Sequence, residues 1–447
     1  MGRQTHRQSQ ERKGGSAIAQ ARGRFPTAGP PLAHSDAVRH DAPMRPGIPS
    51  YLLLASIIGI SGLALPLPAA EDCVSFGEIC QSRDRDTLTV RLGKNAASLQ
   101  GIEALHWIRF LVIDGRRGDG EPVDLSPLAA LPGLRSLYLE NLAVKTLDPL
   151  RGLPLQKLSL SVSTTPDYTA VADLPQLESL RVYGLRDLAE LSPQRLPHLQ
   201  TLSIFDSPID SLAGIEEFSR LKTLSLIDTQ VSDLSPLGRL DLQKVTLRGP
   251  GINDLSPLAG QRSLGFITLN KSRVQSLDGL QLNDNLRSLS ARDSALEDIG
   301  ALAGARELRH LDLQGSQVKE ISALAGLHRL EALDLRRTAV ADITPLRGLP
   351  ALKRLWLTDS QVDDLAVLAT LDQVQQLSLS NTPATDLSPL AGMDKLSIVW
   401  LNGTRASDIT PLLDAPALQA LRIDDKVFVT REGLPAYIER REPPARD

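Results

Sequence analysis

The chain has 447 residues, of which 42% are hydrophobic and only 3% aromatic, with a formal net charge of -4. A sizeable core must therefore be aliphatic, and the acidic balance argues against nucleic acid or an anionic membrane as the main partner.

In chain order, residues 1–43 are polar and lack apolar periodicity, so a disordered extension is expected there. Met44-Arg45 is followed by the uncharged apolar run YLLLASIIGISGLAL from Tyr51 to Leu65 and by small residues ahead of a candidate cut near Ala69 or Ala70. Residues 44–70 thus have the anatomy of a signal peptide: basic start, apolar centre, small residues before cleavage. A start at Met44 would make the first 43 residues an untranslated extension. The expected location is periplasmic or secreted; the alternative is a membrane anchor at 51–70 with the remainder outside the cytoplasm. Gly59, Gly62, Pro66 and Pro68 weaken a spanning helix. Ala70-Glu71-Asp72 before Cys73 is not a lipoprotein cut. Without the first 70 residues, which hold 8 basic and 3 acidic side chains, 41 basic and 50 acidic ones remain, a charge of -9.

Residues 71–104 are expected to form an N-terminal cap. They hold the only two cysteines, Cys73 and Cys80, in CVSFGEIC. In an oxidising compartment a disulfide would clip this end; the alternative is two free thiols.

From 105 to 423 one pattern governs the chain. Leu-x-x-Leu-x-Leu begins at Leu134, Leu155, Leu177, Leu199, Leu221, Leu242, Leu264, Leu286, Leu308, Leu330 and Leu352, then at Val374, Leu396 and Leu418. In the unit LEALDLRRTAVADITPLRGLP, Leu330, Leu333, Leu335, Val340, Ile343, Leu346 and Leu349 are the apolar anchors. One coil cannot close a core with these, so each must stack on its neighbours, strands about 4.8 Å apart in one parallel sheet. With a unit at Ile108, Leu111 and Ile113, ahead of the polar loop GRRGDGE, there are 15 coils. A recurring hydroxyl, from Ser207 and Thr229 to Thr382 and Thr404, is expected to bond backbone in the turn. Four residues later comes an acid such as Asp342 or Asp386, then Ser/Thr-Pro-Leu, read as a short helical turn capped by the hydroxyl. Residues 424–447 hold Val427, Phe428 and Val429 and an amphipathic stretch around Leu434, Tyr437 and Ile438, expected as a C-terminal cap.

The period is that of a leucine-rich-repeat solenoid, and the unit LxxLxLxxTxVxDLxPLxxL resembles the 22-residue class of bacterial internalins. The resemblance spans roughly Leu105 to Ile423. It implies an α/β solenoid, an arc with a parallel sheet on the concave face and short 3-10 or helical turns on the convex face, and a protein-binding role. It does not identify the partner. The terminal REPPARD carries no cell-wall sorting signal and no immunoglobulin-like domain follows the repeats, so a surface-invasion role is not expected.

Function is expected on the sheet's outward positions. The row between the second and third leucines reads Tyr138, Ser159, Arg181, Ser203, Ser225, Thr246, Thr268, Ser290, Asp312, Asp334, Trp356, Ser378, Trp400 and Arg422. Its last third is singled out as a partner-binding patch: Asp312, Asp334, Trp356, Ser378, Trp400 and Arg422, with Arg336 and Arg354 beside them. Tryptophan and arginine are the usual anchors of protein interfaces, and two indoles about 10 Å apart across Ser378 could wall a notch. The blander alternative is that the indoles lie flat on neighbouring side chains. Tyr183, Phe205 and Phe266 form a weaker second zone.

Asp312 and Asp334 on adjacent strands approach the carboxylate spacing of retaining glycosidases. Arg292, Arg336 and Arg354 are the expected neutralisers of that pair, so no catalytic residues are assigned. No histidine spacing suits a metal, and no phosphate loop or nucleophile elbow appears, so neither a metal nor a cofactor is expected. The expectation is an exported, non-enzymatic protein-binding scaffold. The alternatives are an effector delivered to another cell and a membrane-anchored receptor.

Overall fold

Residues 73–93, 98–115, 121–162, 167–423 and 428–440 are described by the computed structural model. The expected extension and signal segment lie outside them, as do Val427 and most of the GRRGDGE loop. Among the described residues no helix is long and apolar enough to cross a membrane.

The described chain opens with an antiparallel hairpin, Cys73–Phe76 against Ile79–Ser82, with Ser75 opposite Cys80. Cys73 and Cys80 are disulfide-bonded, their Cα atoms 5.5 Å apart, an ordinary cystine separation. Phe76, at the end of the hairpin's first strand, is buried and belongs to the core.

The main sheet has 17 strands. It starts at Thr87–Arg91, one strand ahead of the coil of Ile108, Leu111 and Ile113, and Leu88 and Val90 are buried there. Each strand then pairs in parallel with the next in sequence as far as Ala420–Arg422. Phe428–Thr430 adds antiparallel to that edge, and the helix Leu434–Arg440 follows, Val429 and Leu434 being buried. Among the described residues no register pair joins Thr87–Arg91 to Phe428–Thr430, so the sheet is an open arc and not a barrel.

The anchors behave as the stacking argument requires. Leu330, Leu333, Leu335, Val340, Ile343, Leu346 and Leu349 are each at most 2% exposed. One continuous aliphatic core runs through all coils. Leucine suits this because identical branched side chains on adjacent coils interdigitate, and each buried one contributes about 1.5–3 kcal/mol relative to exposure. The return segments are 3-10 turns such as Thr344–Leu346 and Ser388–Leu390.

The turns are capped differently from the sequence expectation. The Ser or Thr before proline is already inside the turn, and its hydroxyl caps no backbone amide. The acid two residues earlier accepts from its N–H instead, as Thr344 N to Asp342 Oδ1 and Ser388 N to Asp386 Oδ1, both 2.8 Å. A carboxylate fits this Asx-type turn better than a hydroxyl because it accepts without having to donate. In some coils the hydroxyl then donates to the same acid, as Thr410 Oγ1 does to Asp408 Oδ1 at 2.7 Å. These bonds hold the Asp233, Asp342, Asp386 and Asp408 carboxyls below the usual range.

The hydroxyl ladder is only partly satisfied. Thr338 and Thr382 donate to Leu335 O and Leu379 O at 2.7 Å, within their own coils. Ser207 also accepts from Leu185 N of the preceding coil at 3.0 Å. The buried hydroxyls of Thr229, Ser272, Ser316 and Ser360 make no protein hydrogen bond. The residue before each ladder position turns the chain with positive φ: Asp206, Asp228, Lys271, Asp293, Gly315, Arg337, Asp359, Asn381 and Gly403. Asn, Asp and Gly tolerate that left-handed conformation best; Lys271 and Arg337 carry its strain.

Candidate functional site

The parallel register brings the outward row together residue by residue. Ser290 lies opposite Asp312, Asp312 opposite Asp334, Asp334 opposite Trp356, Trp356 opposite Ser378, Ser378 opposite Trp400 and Trp400 opposite Arg422. Six of the eight residues singled out from the sequence therefore occupy consecutive places on one face. Arg354 sits in the adjoining outward row, between Ala332 and Gln376. Arg336 follows Asp334 by two residues and folds back over it.

Ser378 is buried, at 5% exposure, between two indoles that stay half-buried. Its hydroxyl hydrogen-bonds that of Thr358. A small, self-satisfied residue thus separates the two indoles along the row. Arg354 lies over Trp356, its guanidinium carbon 5.8 Å from the ring centroid, within the range of a cation–π contact.

The carboxylates are engaged. Arg292 Nε pairs with Asp312, whose other oxygen accepts from Gln314 N at 3.2 Å. Arg336 grips Asp334 with Nη2 at 2.6 Å and Nε at 2.9 Å, and its Nη2 also reaches Gln314 Oε1 at 3.3 Å. Arg354, expected among the neutralisers, has no ion pair with either acid and lies over the indole of Trp356 instead, two residues along its own strand. Burial, then the neighbouring Asp334 charge, pushes the Asp312 carboxyl up despite Arg292. The bond to Asp334 holds the Arg336 guanidinium proton more tightly than usual. Burial, then Arg354, lowers His310 in the adjoining row. Each of the two carboxylates is thus held by an arginine on the face beside the indoles. Among the described residues no group of three or more His, Cys, Asp or Glu could hold a metal ion.

A second aromatic zone lies near the other end. Tyr183 stacks on Phe205 at 5.1 Å between centroids, with Arg181 5.1 Å from the Phe205 ring, and Phe110 meets Tyr138 at 5.1 Å. Phe266, expected with them, makes no ring contact among the described residues and is 46% exposed. The alliance of Arg181 with Phe205 was not read from the sequence, although the repeat period places the two on adjacent strands.

No protein-family model and no curated protein matches the sequence. Solved structures do. An internalin, InlF, from Listeria monocytogenes is 26% identical, with 67% of this chain and 89% of that one covered at a TM-score of 0.56. The repeats are similar to those of the internalins, and the fold is that of a leucine-rich-repeat solenoid. A leucine-rich-repeat protein of Leptospira interrogans matches at a TM-score of 0.62, 18% identical, with 76% of this chain and 88% of that one covered. The plant peptide hormone receptor RGFR1, solved in complex with RGF2, matches at a TM-score of 0.51 and 16% identity, with 75% of this chain and 61% of that one covered. At that identity the last two comparisons speak for the fold alone.

Proposed function

We propose that this internalin-type solenoid is an exported, non-enzymatic scaffold that binds a protein partner through the last third of its concave face. The observation that carries the reading is the consecutive register of Trp356, Ser378, Trp400 and Arg422. Half-buried indoles on a rigid parallel sheet are pre-organised anchors, and little side-chain entropy is lost when a partner covers them. The clamped carboxylates argue for recognition over catalysis. Export is favoured by the Cys73–Cys80 disulfide, since such bonds persist in oxidising compartments, together with the signal-like residues 44–70.

Two measurements test this. Terminal-peptide mass spectrometry of cell fractions should find the mature chain outside the cytoplasm, beginning near residue 70. A partner recovered from that fraction should lose at least about tenfold in affinity for Trp356→Ala/Trp400→Ala. A cytoplasmic chain overturns export, and unchanged affinity overturns the patch.

A further inference from the structure

Beyond its first 70 residues the chain is acidic, at -9, yet its sheet face has the opposite sign. In the two outward rows flanking the central buried residue of each parallel strand, the charged residues are Lys157, Arg181, Lys244, Arg354 and Arg422 against Asp312 and Asp334. Both aspartates are cancelled by Arg292 and Arg336 from the next outward position. The face is therefore a cationic strip on an anionic protein. Among the described residues, the next row adds carboxylates, Asp114 opposite Arg91 and then Glu140, at the N-terminal end.

Two of these cations are mounted alike. Arg181 lies over Phe205 at 5.1 Å and Arg354 over Trp356 at 5.8 Å. A guanidinium laid on a ring keeps its in-plane donors available to grip a carboxylate from the side, while the ring offers apolar surface next to it. Eight strand steps separate the two, about 38 Å at sheet spacing, a span that about 12 residues of extended peptide cover. We infer that the concave face takes an acidic polypeptide segment, with carboxylates at Arg181 and Arg354 and apolar side chains against the Tyr183–Phe205 and Trp356–Trp400 rings. This rests on the scaffold reading above and adds the chemistry of the partner. A nucleic acid fits less well: its phosphates are evenly and closely spaced, whereas no unclamped Lys or Arg occupies the two rows between Lys244 and Arg354, five strand steps apart.

The test uses the full chain and fluorescein-labelled peptides of about 12 residues built of Glu-Phe-Gly triplets, with Gln or Lys replacing Glu in two controls, read by fluorescence anisotropy. The Glu peptide should bind at least about tenfold more tightly than either control, and weaken as salt rises and the screening length falls. Arg181→Glu/Arg354→Glu should invert the preference and favour the Lys peptide, a gain that misfolding cannot produce. Equal binding of the Gln peptide, an unchanged preference in the charge-reversed variant, or no binding of any peptide at about 1 mM overturns the acidic-segment proposal. So does stronger competition by an oligothymidylate than by the Glu peptide. The scaffold reading fails separately, on the natural partner's indifference to Trp356→Ala/Trp400→Ala.

Discussion

Arg336→Ala should destabilise the sheet by removing one partner of a buried charge pair. The Asp334 side chain is 6% exposed and Arg336 35%, and the guanidinium contacts the carboxylate at 2.6, 2.9 and 3.0 Å. Charge-assisted bonds are worth about 1.5–3 kcal/mol each, and breaking a fully buried pair costs about 3–5 kcal/mol. The arginine's open side lets water screen the pair, so the expected loss is about 2–3 kcal/mol at neutral pH. Without Arg336, the Asp334 carboxylate faces Asp312 across one strand spacing without its clamping guanidinium. Urea unfolding at neutral pH measures the loss, and hydrogen exchange locates it, because coils of a solenoid open semi-independently. Adding Asp334→Asn should restore more than half of the loss. A deficit under about 0.5 kcal/mol would show that Arg336 does not hold the sheet in this way.

Asp312→Asn should leave stability unchanged or raised by under about 1 kcal/mol at neutral pH. Burial raises this carboxyl's folded pKa, so its favourable contribution is present only at low pH and disappears as pH rises; urea midpoints across pH check this. Leu355→Ala, at a position 0% exposed, should cost about 2–5 kcal/mol and strip exchange protection first from its own and flanking coils. Reducing Cys73–Cys80, which closes a sequence separation of 7, should cost about 2 kcal/mol and raise exchange in the hairpin while leaving the central coils protected.

The solenoid was legible because its anchors recur and every one is buried, so a leucine count sufficed to fix strand, register and outward row. What the count missed is informative. Thr87–Arg91 offers only Leu88 and Val90 and no full Leu-x-x-Leu-x-Leu, so the sheet's first strand was absorbed into the expected cap region. Ser-Pro and Thr-Pro advertise a cap, but at Thr344 and Ser388 the aspartate two residues upstream does the accepting, a choice made by backbone geometry. The left-handed turn before each ladder hydroxyl is disguised by Lys271 and Arg337, where Asn, Asp or Gly would have revealed it. Arg354 was near enough in sequence space to serve either the aspartates or the indole. Only its direction along the strand assigns it to Trp356.

Calorimetric titration is the sharpest test of whether the last third of the concave face is the binding surface. A partner isolated from the exported fraction would be titrated into the wild-type chain and into Trp356→Ala/Trp400→Ala, with circular dichroism confirming an intact sheet in both. The variant's Kd should rise at least about tenfold. Equal Kd values for two equally folded proteins would contradict it.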